Sequence, residues 1–323
     1  MQSTGQTATQ DAGPDDRDLR LLCRPQRGPN HVQRRLISIH ALVASAPLPS
    51  TLSADYERFR AAHPDRSLVV GDTRWRYAVG GVGPDAVLVL PGGSMRPDSY
   101  FRLIGVLERE HRVIAPTYPA VSTISDLVEG VIAILDAERV ARAAVFGASF
   151  GGYVAQVLVR RHPERVDRLV LSHTAVRHLA GRRPMRVLAT VLPALPERLV
   201  RAVMWRIWMH LFSVSSDVRA FWLSLLRGVL DGLSKAQLVG ITRCISDFTG
   251  YRLTQDDLTT WPGQVLILES DRDAAYGSAA RAELRATYPG ATVHTFRDAG
   301  HTALWTHADE YNEIIRSFLR NTM

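Results

Sequence analysis

The feature that most constrains the fold is an alternation between short apolar runs and amphipathic helical patterns along most of the chain. Residues 87–90 and 265–268 read VLVL and VLIL, and such continuously apolar runs are typical of strands that helices cover on both faces. Strands that alternate with helices indicate repeated βα units and a parallel sheet. We therefore predict an α/β fold with a mostly parallel, doubly wound sheet.

The pattern predicts seven strands, each of them short. They cover residues 74–79, 86–90, 112–116, 143–147, 168–171, 265–268 and 292–296. Helices are predicted where apolar residues recur at helical spacing. They cover 125–135, with Ser125 as the N-terminal cap, and 153–161, 279–288 and 308–319.

Two stretches depart from the alternation and define the domain organisation. Residues 1–53 begin with a polar stretch that cannot bury enough apolar surface to order itself, so we predict a disordered N-terminal extension. Residues 176–261 read as consecutive apolar-faced helices, and this insert is too long for a loop. We predict that it forms a helical lid on an α/β core built from residues 54–175 and 262–321.

The chain is basic, with a formal net charge of +7. Its 39 basic residues include a single lysine, Lys235, and the arginines are scattered rather than clustered. Net charge without a basic patch describes a solvated surface, so we predict no nucleic-acid partner. The two cysteines, Cys23 and Cys244, are far apart and form no metal-binding or redox motif.

Residues 34–46 have the outline of an export signal, because two arginines precede a short apolar run and an Ala-Ser-Ala site. His40 interrupts the run, however, and about 30 residues precede it. We therefore predict a cytoplasmic protein, with export and cleavage near Pro47 as the alternative. No apolar run reaches the roughly 18 residues of a spanning helix, so no stable membrane insertion is predicted.

Residues Gly147, Ala148, Ser149, Phe150 and Gly151 form the pattern G-x-S-x-G directly after a predicted strand and before a helix. In that context the segment makes a sharp turn, and its glycines remove side chains that would clash. The serine hydroxyl would stand at the carboxyl edge of the sheet, where open α/β folds bind ligands. Ser149 is therefore the candidate nucleophile, and the alternative is a glycine-rich turn with an incidental serine.

A serine nucleophile needs a base that is oriented by an acid. Asp273 and His301 follow the last two predicted strands, which gives the chain order Ser, Asp, His. We predict a triad of Ser149, Asp273 and His301. Asp271 and Asp298 lie nearby as alternative acids, and we favour Asp273 because it stands far enough past its strand to turn toward a histidine.

Acyl transfer also needs hydrogen-bond donors for the developing oxyanion. The predicted strand 86–90 ends in Pro91-Gly92-Gly93-Ser94, where glycines let the backbone approach a substrate closely. We predict that the backbone N–H groups of Gly93 and Phe150 form the oxyanion hole, with Ser94 as a candidate third donor. The competing interpretation is a plain Pro-Gly turn.

No dinucleotide-binding, phosphate-loop or zinc-binding pattern occurs in the sequence. We therefore predict no cofactor and no metal ion.

The motifs GASFGG around Ser149, LESDRD ending at Asp273 and DAGH ending at His301 resemble those of α/β-hydrolase-fold serine hydrolases over residues 56–319. LVLPGGS, HRVIAPTYP and VFGASFGGYVAQ are similar to the maspardin-like branch. Pro91 replaces the histidine that usually opens the superfamily's oxyanion segment. Maspardin is regarded as an interaction protein with an incomplete triad, whereas this chain keeps the acid and the histidine.

The resemblance implies hydrolysis of an ester, thioester or lactone of a small to medium hydrophobic substrate through an acyl-enzyme intermediate. A serine at the elbow argues against haloalkane dehalogenases and epoxide hydrolases, which use aspartate there. Three alternatives remain. They are a non-catalytic binding protein, a C–C bond hydrolase, and a membrane-surface lipase that touches lipid through Trp205 and Trp208.

Overall fold

An eight-stranded sheet forms the centre of the computed structural model, which describes residues 50–177, 181–212, 214 and 216–320. Its strands are β1 (Arg66–Val70), β2 (Thr73–Gly80), β3 (Ala86–Leu90), β4 (Arg112–Thr117), β5 (Ala143–Ala148), β6 (Val166–Ser172), β7 (Gln264–Ser270) and β8 (Thr292–Phe296). The spatial order is β1-β2-β4-β3-β5-β6-β7-β8. The pairs β1–β2 and β2–β4 are antiparallel and the other pairs are parallel, so the predicted mostly parallel sheet is confirmed.

Helices connect and cover the strands. They are α1 (Ser50–Ala62), α2 (Phe101–Leu107), α3 (Ile124–Ala137), α4 (Phe150–Arg161), α5 (Arg182–Val191), α6 (Glu197–Leu211), α7 (Ser216–Gly232), α8 (Lys235–Phe248), α9 (Ser278–Thr287), α10 (Ala303–Thr306) and α11 (Ala308–Arg320). Every residue of β3 and of β5 is buried, as expected for strands that are covered on both faces. The seven predicted strands are all present, with ends shifted by at most two residues.

The order of the strands indicates where in the sheet a functional site lies. Strands β3 and β5 are neighbours in the sheet, while β4 lies on the other side of β3, so the direction of winding reverses between β3 and β5. In open α/β sheets, ligands bind at the carboxyl ends of the strands that flank such a reversal. The segment from Pro91 to Ser94 and the turn at Ser149 follow these two strands.

Two elements at the edge of the sheet were not predicted. Strand β1 lies at the edge of the sheet beside β2 and is largely exposed, and its apolar run is limited to residues 68–70. Helix α1 begins at Ser50, and the assignment of residues 50–53 to the disordered extension was therefore wrong. This helix is held by tertiary contacts, because the rings of Tyr56 and Phe59 lie 5.6 and 6.3 Å from that of Phe101.

The other predictions for the N-terminal region concern residues outside the described part of the chain. They are the remainder of the extension, the signal-like stretch 34–46, the cleavage site near Pro47, and Cys23.

The N-terminus of α3 differs from the prediction. The Thr123 hydroxyl accepts a hydrogen bond from the Asp126 amide at 3.0 Å, and the Asp126 carboxylate accepts one from the Thr123 amide at 3.3 Å. This reciprocal capping box places the helix start before Ser125, which lies in the first turn. The assignment of Ser125 as the cap was wrong, because both residues suit a cap and only Thr123 has an acidic residue three positions later.

Helices α5 to α8 lie between β6 and β7 along the chain, and none of the described residues between these two strands joins the sheet. Helix α6 buries Val200, Met204 and Trp208, which recur every four residues and therefore form one face. Trp222 of α7 is buried as well. None of the helices in the described part of the chain is long and apolar enough to cross a membrane.

Candidate active site

Ser149 lies between the last residue of β5 and the first residue of α4. Its φ of 51° is in the left-handed region, and its amide donates a hydrogen bond to the Ser172 carbonyl of β6 at 2.8 Å. The flanking glycines make the turn sterically feasible. A Cβ atom at Gly151 would lie 2.1 Å from the Leu90 carbonyl oxygen, and one at Gly147 would lie 2.5 Å from the Gly151 carbonyl oxygen.

In the predicted triad, His301 lies within hydrogen-bonding distance of both Ser149 and Asp273. His301 Nε2 is 3.1 Å from Ser149 Oγ, and His301 Nδ1 is 3.0 and 3.1 Å from the two carboxylate oxygens of Asp273. A tautomer that carries its proton on Nδ1 donates to Asp273 and accepts from Ser149, so it satisfies both contacts. His301 and Asp273 are both buried.

Asp273 is the carboxylate that contacts His301. Burial by itself raises the pKa of Asp273, but the hydrogen bond and charge of His301 and the Ala275 amide hold it below its ordinary value. Its Oδ1 accepts hydrogen bonds from the amides of Ala275 and Tyr276 at 2.7 and 3.2 Å. The carboxylate is therefore ionised at neutral pH and fixed in orientation.

The alternative acids do not reach His301. Asp271 Oδ1 is buried without a hydrogen-bond partner among the described residues. Asp298 is exposed and pairs with Arg272.

The predicted oxyanion donors lie at the ends of β3 and β5. Gly93 and Ser94 line the same cavity as Ser149 and His301. Phe150 is the first residue of α4, so its N–H has no partner within the helix. Their function as oxyanion donors stays a prediction.

The loop after β3 is held by two further contacts. The Gly92 amide donates to the Tyr100 hydroxyl at 2.9 Å, and the Gly92 carbonyl accepts from the Met95 amide at 2.9 Å. Neither contact was predicted from the sequence.

A second histidine was missed by the sequence analysis. His173 follows β6 directly, has a φ of 45°, and lines the cavity with its ring centroid 5.9 Å from that of His301. Its Nδ1 lies 2.9 Å from Ser172 Oγ and its Nε2 lies 2.7 Å from Ser270 Oγ. The only signal in the sequence was its position directly after a strand, which it shares with the nucleophile.

Burial sets the charge of His173. It lowers the pKa of this imidazole to about 3, a charge on His301 acts in the same direction when that residue is protonated, and Asp273 opposes both. The side chain is therefore neutral at physiological pH.

Tyr276 was also missed. Its ring centroid lies 5.6 Å from that of His301, and its hydroxyl is 2.8 Å from that of Tyr153. Burial raises the pKa of Tyr276 to about 12, although its hydrogen bonds with Tyr153 and Ser149 oppose the rise. Nothing in the local sequence distinguishes this tyrosine from a core residue.

The site opens into a small cavity of about 60 Å³. The side of the cavity toward the α5–α8 segment is aromatic and aliphatic, with Trp208, Leu211 and Phe212 joined by Leu304 and Trp305. Among the described residues that line it, none is Arg, Lys, Asp or Glu.

Trp208 does not face solvent, since only 2% of it is exposed. Trp208 is therefore not available to lipid in this structure, and the membrane-surface lipase stays an untested alternative. Trp205, one turn earlier, is half-buried, and its ring lies 5.5 Å from the Arg227 guanidinium. In the described part of the chain, no cluster of three or more His, Cys, Asp or Glu side chains is arranged to hold a metal ion.

The fold and the arrangement at the carboxyl edge of the sheet are those of a hydrolase with an α/β core. Residues 87–314 match the alpha/beta hydrolase family, and the chain belongs to that family. The prediction of an α/β hydrolase is thereby confirmed, while similarity to the maspardin-like branch stays a prediction.

Comparisons with individual proteins give more distant similarities. The chain is 25% identical over 195 residues to the 2-hydroxymuconate semialdehyde hydrolase of Pseudomonas putida, covering 59% of this chain and 67% of that protein. It is 25% identical over 261 residues to the 2-hydroxy-6-oxo-6-phenylhexa-2,4-dienoate hydrolase of Burkholderia cepacia. This match covers 73% of this chain and 88% of that protein. A solved hydrolase structure from Pseudomonas aeruginosa superposes with a TM-score of 0.68 at 20% identity. The superposition covers 80% of this chain and 98% of that one.

Proposed function

We propose that the protein is a serine hydrolase that cleaves esters, thioesters or lactones through an acyl-enzyme intermediate. One observation carries the proposal: an unbroken series of hydrogen bonds runs from Asp273 through His301 to Ser149. This arrangement is what activates a serine hydroxyl, which is otherwise a poor nucleophile at neutral pH.

In the first half of the proposed reaction, Ser149 Oγ attacks the substrate carbonyl while its proton passes to His301 Nε2. The backbone N–H groups of Gly93 and Phe150 stabilise the oxyanion that develops. His301 then returns the proton to the leaving alcohol, thiol or ring oxygen. Throughout, the ionised Asp273 holds the imidazole in place and stabilises its positive charge.

In the second half, His301 takes a proton from a water molecule, which attacks the acyl group on Ser149. The tetrahedral oxyanion forms at the same donors, and its collapse releases the acid and restores the serine hydroxyl. We further propose that the α5–α8 segment acts as a lid, since Trp208 and Leu211 of α6 line the cavity.

The lining supports a neutral substrate. A carboxylate that is buried in a site without a cation loses its hydration without compensation. The described lining has no Arg or Lys, which favours an uncharged acyl group.

A C–C bond hydrolase is the second candidate, because two relatives carry the names of hydrolases for 2-hydroxymuconate semialdehyde and 2-hydroxy-6-oxo-6-phenylhexa-2,4-dienoate. A dienoate is a carboxylate, so the uncharged lining favours the ester hydrolase. Assaying 2-hydroxy-6-oxo-6-phenylhexa-2,4-dienoate beside p-nitrophenyl acetate separates the two. Faster turnover of the dienoate would favour the C–C hydrolase.

The direct test is hydrolysis of p-nitrophenyl acetate by the wild type and by Ser149→Ala. We expect kcat to fall by about 10⁴-fold or more, because the nucleophile is lost. Ser317→Ala, an exposed serine on α11, is the matched control and is expected to retain wild-type kcat. Activity of Ser149→Ala within tenfold of wild type would overturn the proposal, and a folded but inactive wild type would favour the binding-protein alternative.

A further inference from the structure

The cavity next to Ser149 carries information about the size of the substrate. We propose that Trp208 restricts the acyl group to short, neutral chains, from acetyl to butyryl, and so makes the protein a short-chain esterase. The inference rests on the proposed serine hydrolase function and adds the substrate class and the residue that determines it.

The volume of the cavity is the first support. A water-sized group needs about 10–15 Å³ of cavity volume. The cavity, with about 60 Å³, therefore holds about four to six such groups. This is room for an acetyl or butyryl group, whereas an octanoyl chain exceeds it. Pockets for drug-sized ligands are far larger, at roughly 300–1,000 Å³.

Another part of the cavity wall, at Trp305, is held in place, which is the second support. The Trp305 ring stacks on Trp222 with ring centroids 4.0 Å apart and an angle of 15°. The indole Nε1 of Trp305 donates a hydrogen bond to the Ser99 carbonyl at 3.0 Å. The ring centroid of Phe212 lies 5.1 Å from that of Trp305. A side chain held by three contacts does not move aside to admit a longer chain without losing them.

The position of Trp208 itself is the third support. It is the last residue in the buried face of α6, after Val200 and Met204, so the helix directs it toward the core. A Cβ atom built on Gly93 would lie 3.8 Å from Trp208 Nε1, which places the indole beside the predicted oxyanion loop. Trp208 is therefore a large side chain of α6 that lines the cavity beside the predicted oxyanion loop.

A larger cavity elsewhere does not relax this limit. A space of about 450 Å³ lies between α1 and α7, but none of Ser149, His301 or Gly93 lines it. An acyl group bonded to Ser149 must occupy the small cavity, so the larger one does not set the acyl length.

The experiment measures kcat/KM for p-nitrophenyl acetate, butyrate and octanoate with wild type, Trp208→Ala and Trp208→Leu. We expect the wild type to prefer acetate or butyrate over octanoate by about tenfold or more, since a pocket discriminates by at least that factor per misfitting methylene. Trp208→Ala is expected to shift the octanoate-to-acetate ratio upward by about tenfold or more. Trp208→Leu removes less volume and should shift the ratio in the same direction, which keeps the test valid if the alanine variant does not fold.

Trp205→Ala is the matched control, because Trp205 lies on the same helix and does not line the cavity. Its ratio should equal that of the wild type. A wild type that prefers octanoate, or a folded Trp208 variant with an unchanged ratio, would overturn the inference.

Labelling each protein with a fluorophosphonate distinguishes failure of the inference from failure of the proposed function. Labelled, active protein without the expected chain-length preference overturns the inference and leaves the serine hydrolase standing. Folded protein that is neither labelled nor active on any ester overturns both.

Discussion

At the residue scale, the hydrogen bonds of Asp273 distinguish it from the two alternative acids, Asp271 and Asp298. Two backbone amides and the His301 imidazole converge on it, while Asp271 Oδ1 is buried without a hydrogen-bond partner among the described residues. A carboxylate that holds the histidine in one tautomer is worth far more to catalysis than a nearby charge that does not touch it.

Replacement of Asp273 by asparagine therefore has a large predicted effect. An amide in place of the carboxylate favours the wrong imidazole tautomer, and we expect Asp273→Asn to lower kcat by about 10⁴-fold. Asp271→Asn, the matched control two residues away, should lower kcat by less than about tenfold. The measurement is steady-state hydrolysis of p-nitrophenyl acetate, and the reverse order of the two effects would assign the acid to Asp271.

The lowered pKa of His173 predicts that the free energy of unfolding depends on pH. Its imidazole has a pKa of about 3 in the folded protein, whereas an unfolded chain takes up this proton near pH 6.5. Between these pH values the unfolded state binds more protons, so the free energy of unfolding falls as the pH is lowered. The slope is at most about 1.4 kcal/mol per pH unit.

The measurement compares urea unfolding of the wild type and His173→Gln at pH 7 and pH 5. The amide cannot titrate, so the wild type should lose about 2 kcal/mol more than the variant over this range. Contributions from His111, whose pKa is also lowered by burial, cancel in the difference. Equal losses in the two proteins would show that His173 is not buried in its neutral form.

Sequence reasoning selected Ser149, Asp273 and His301 because each follows a strand in the chain order of known triads, and the structure brings their side chains together. It missed His173 and Tyr276, whose proximity to His301 depends on contacts between distant segments. A single histidine or tyrosine in a sequence carries no periodicity or motif that reveals such contacts.

At the element scale, the turn from β5 into α4 depends on close backbone approach. We expect Gly151→Ala to lower the free energy of unfolding by about 1–3 kcal/mol or more, because its Cβ would lie 2.1 Å from the Leu90 carbonyl oxygen. Gly105→Ala in α2 is the matched control, since a Cβ there meets nothing within 4 Å. It should raise stability by about 0.5–1 kcal/mol. Urea titration of both variants checks the difference, and equal effects would contradict the close backbone approach at the elbow.

The elements of the core were predictable because buried parallel strands read as apolar runs. Strand β1 and helix α1 were not, since β1 is largely exposed and α1 is ordered by the packing of Tyr56 and Phe59 on Phe101. The local sequence pattern predicts the buried helices and strands of this fold, whereas the elements at the edge of the sheet form because of tertiary contacts.

At the scale of the whole molecule, burial differs strongly between helix α4 of the core and helix α5 of the α5–α8 segment. Helix α5 buries only Met185, while Val187 and Val191 are 63% and 49% exposed. Helix α4, in contrast, is buried over almost its whole length. Regions with few buried contacts open locally at lower free energy.

Hydrogen exchange measured by mass spectrometry tests this difference. Amides of α5 should exchange faster than those of α4, which has a similar length and is the internal control. Equal protection of the two helices would show that α5 is as stable as the core. The sequence predicted a helical insert here, but how closely each helix packs depends on contacts with α/β elements that no local pattern contains.

The central claim is that Ser149 is an activated nucleophile, and the most direct measurement is to locate a fluorophosphonate adduct by peptide mass spectrometry. We predict a single adduct on Ser149 in the wild type, no adduct at that site in Ser149→Ala, and slower labelling in His301→Asn. Folded wild-type protein that remains unlabelled, or an adduct that maps to another residue, would contradict it.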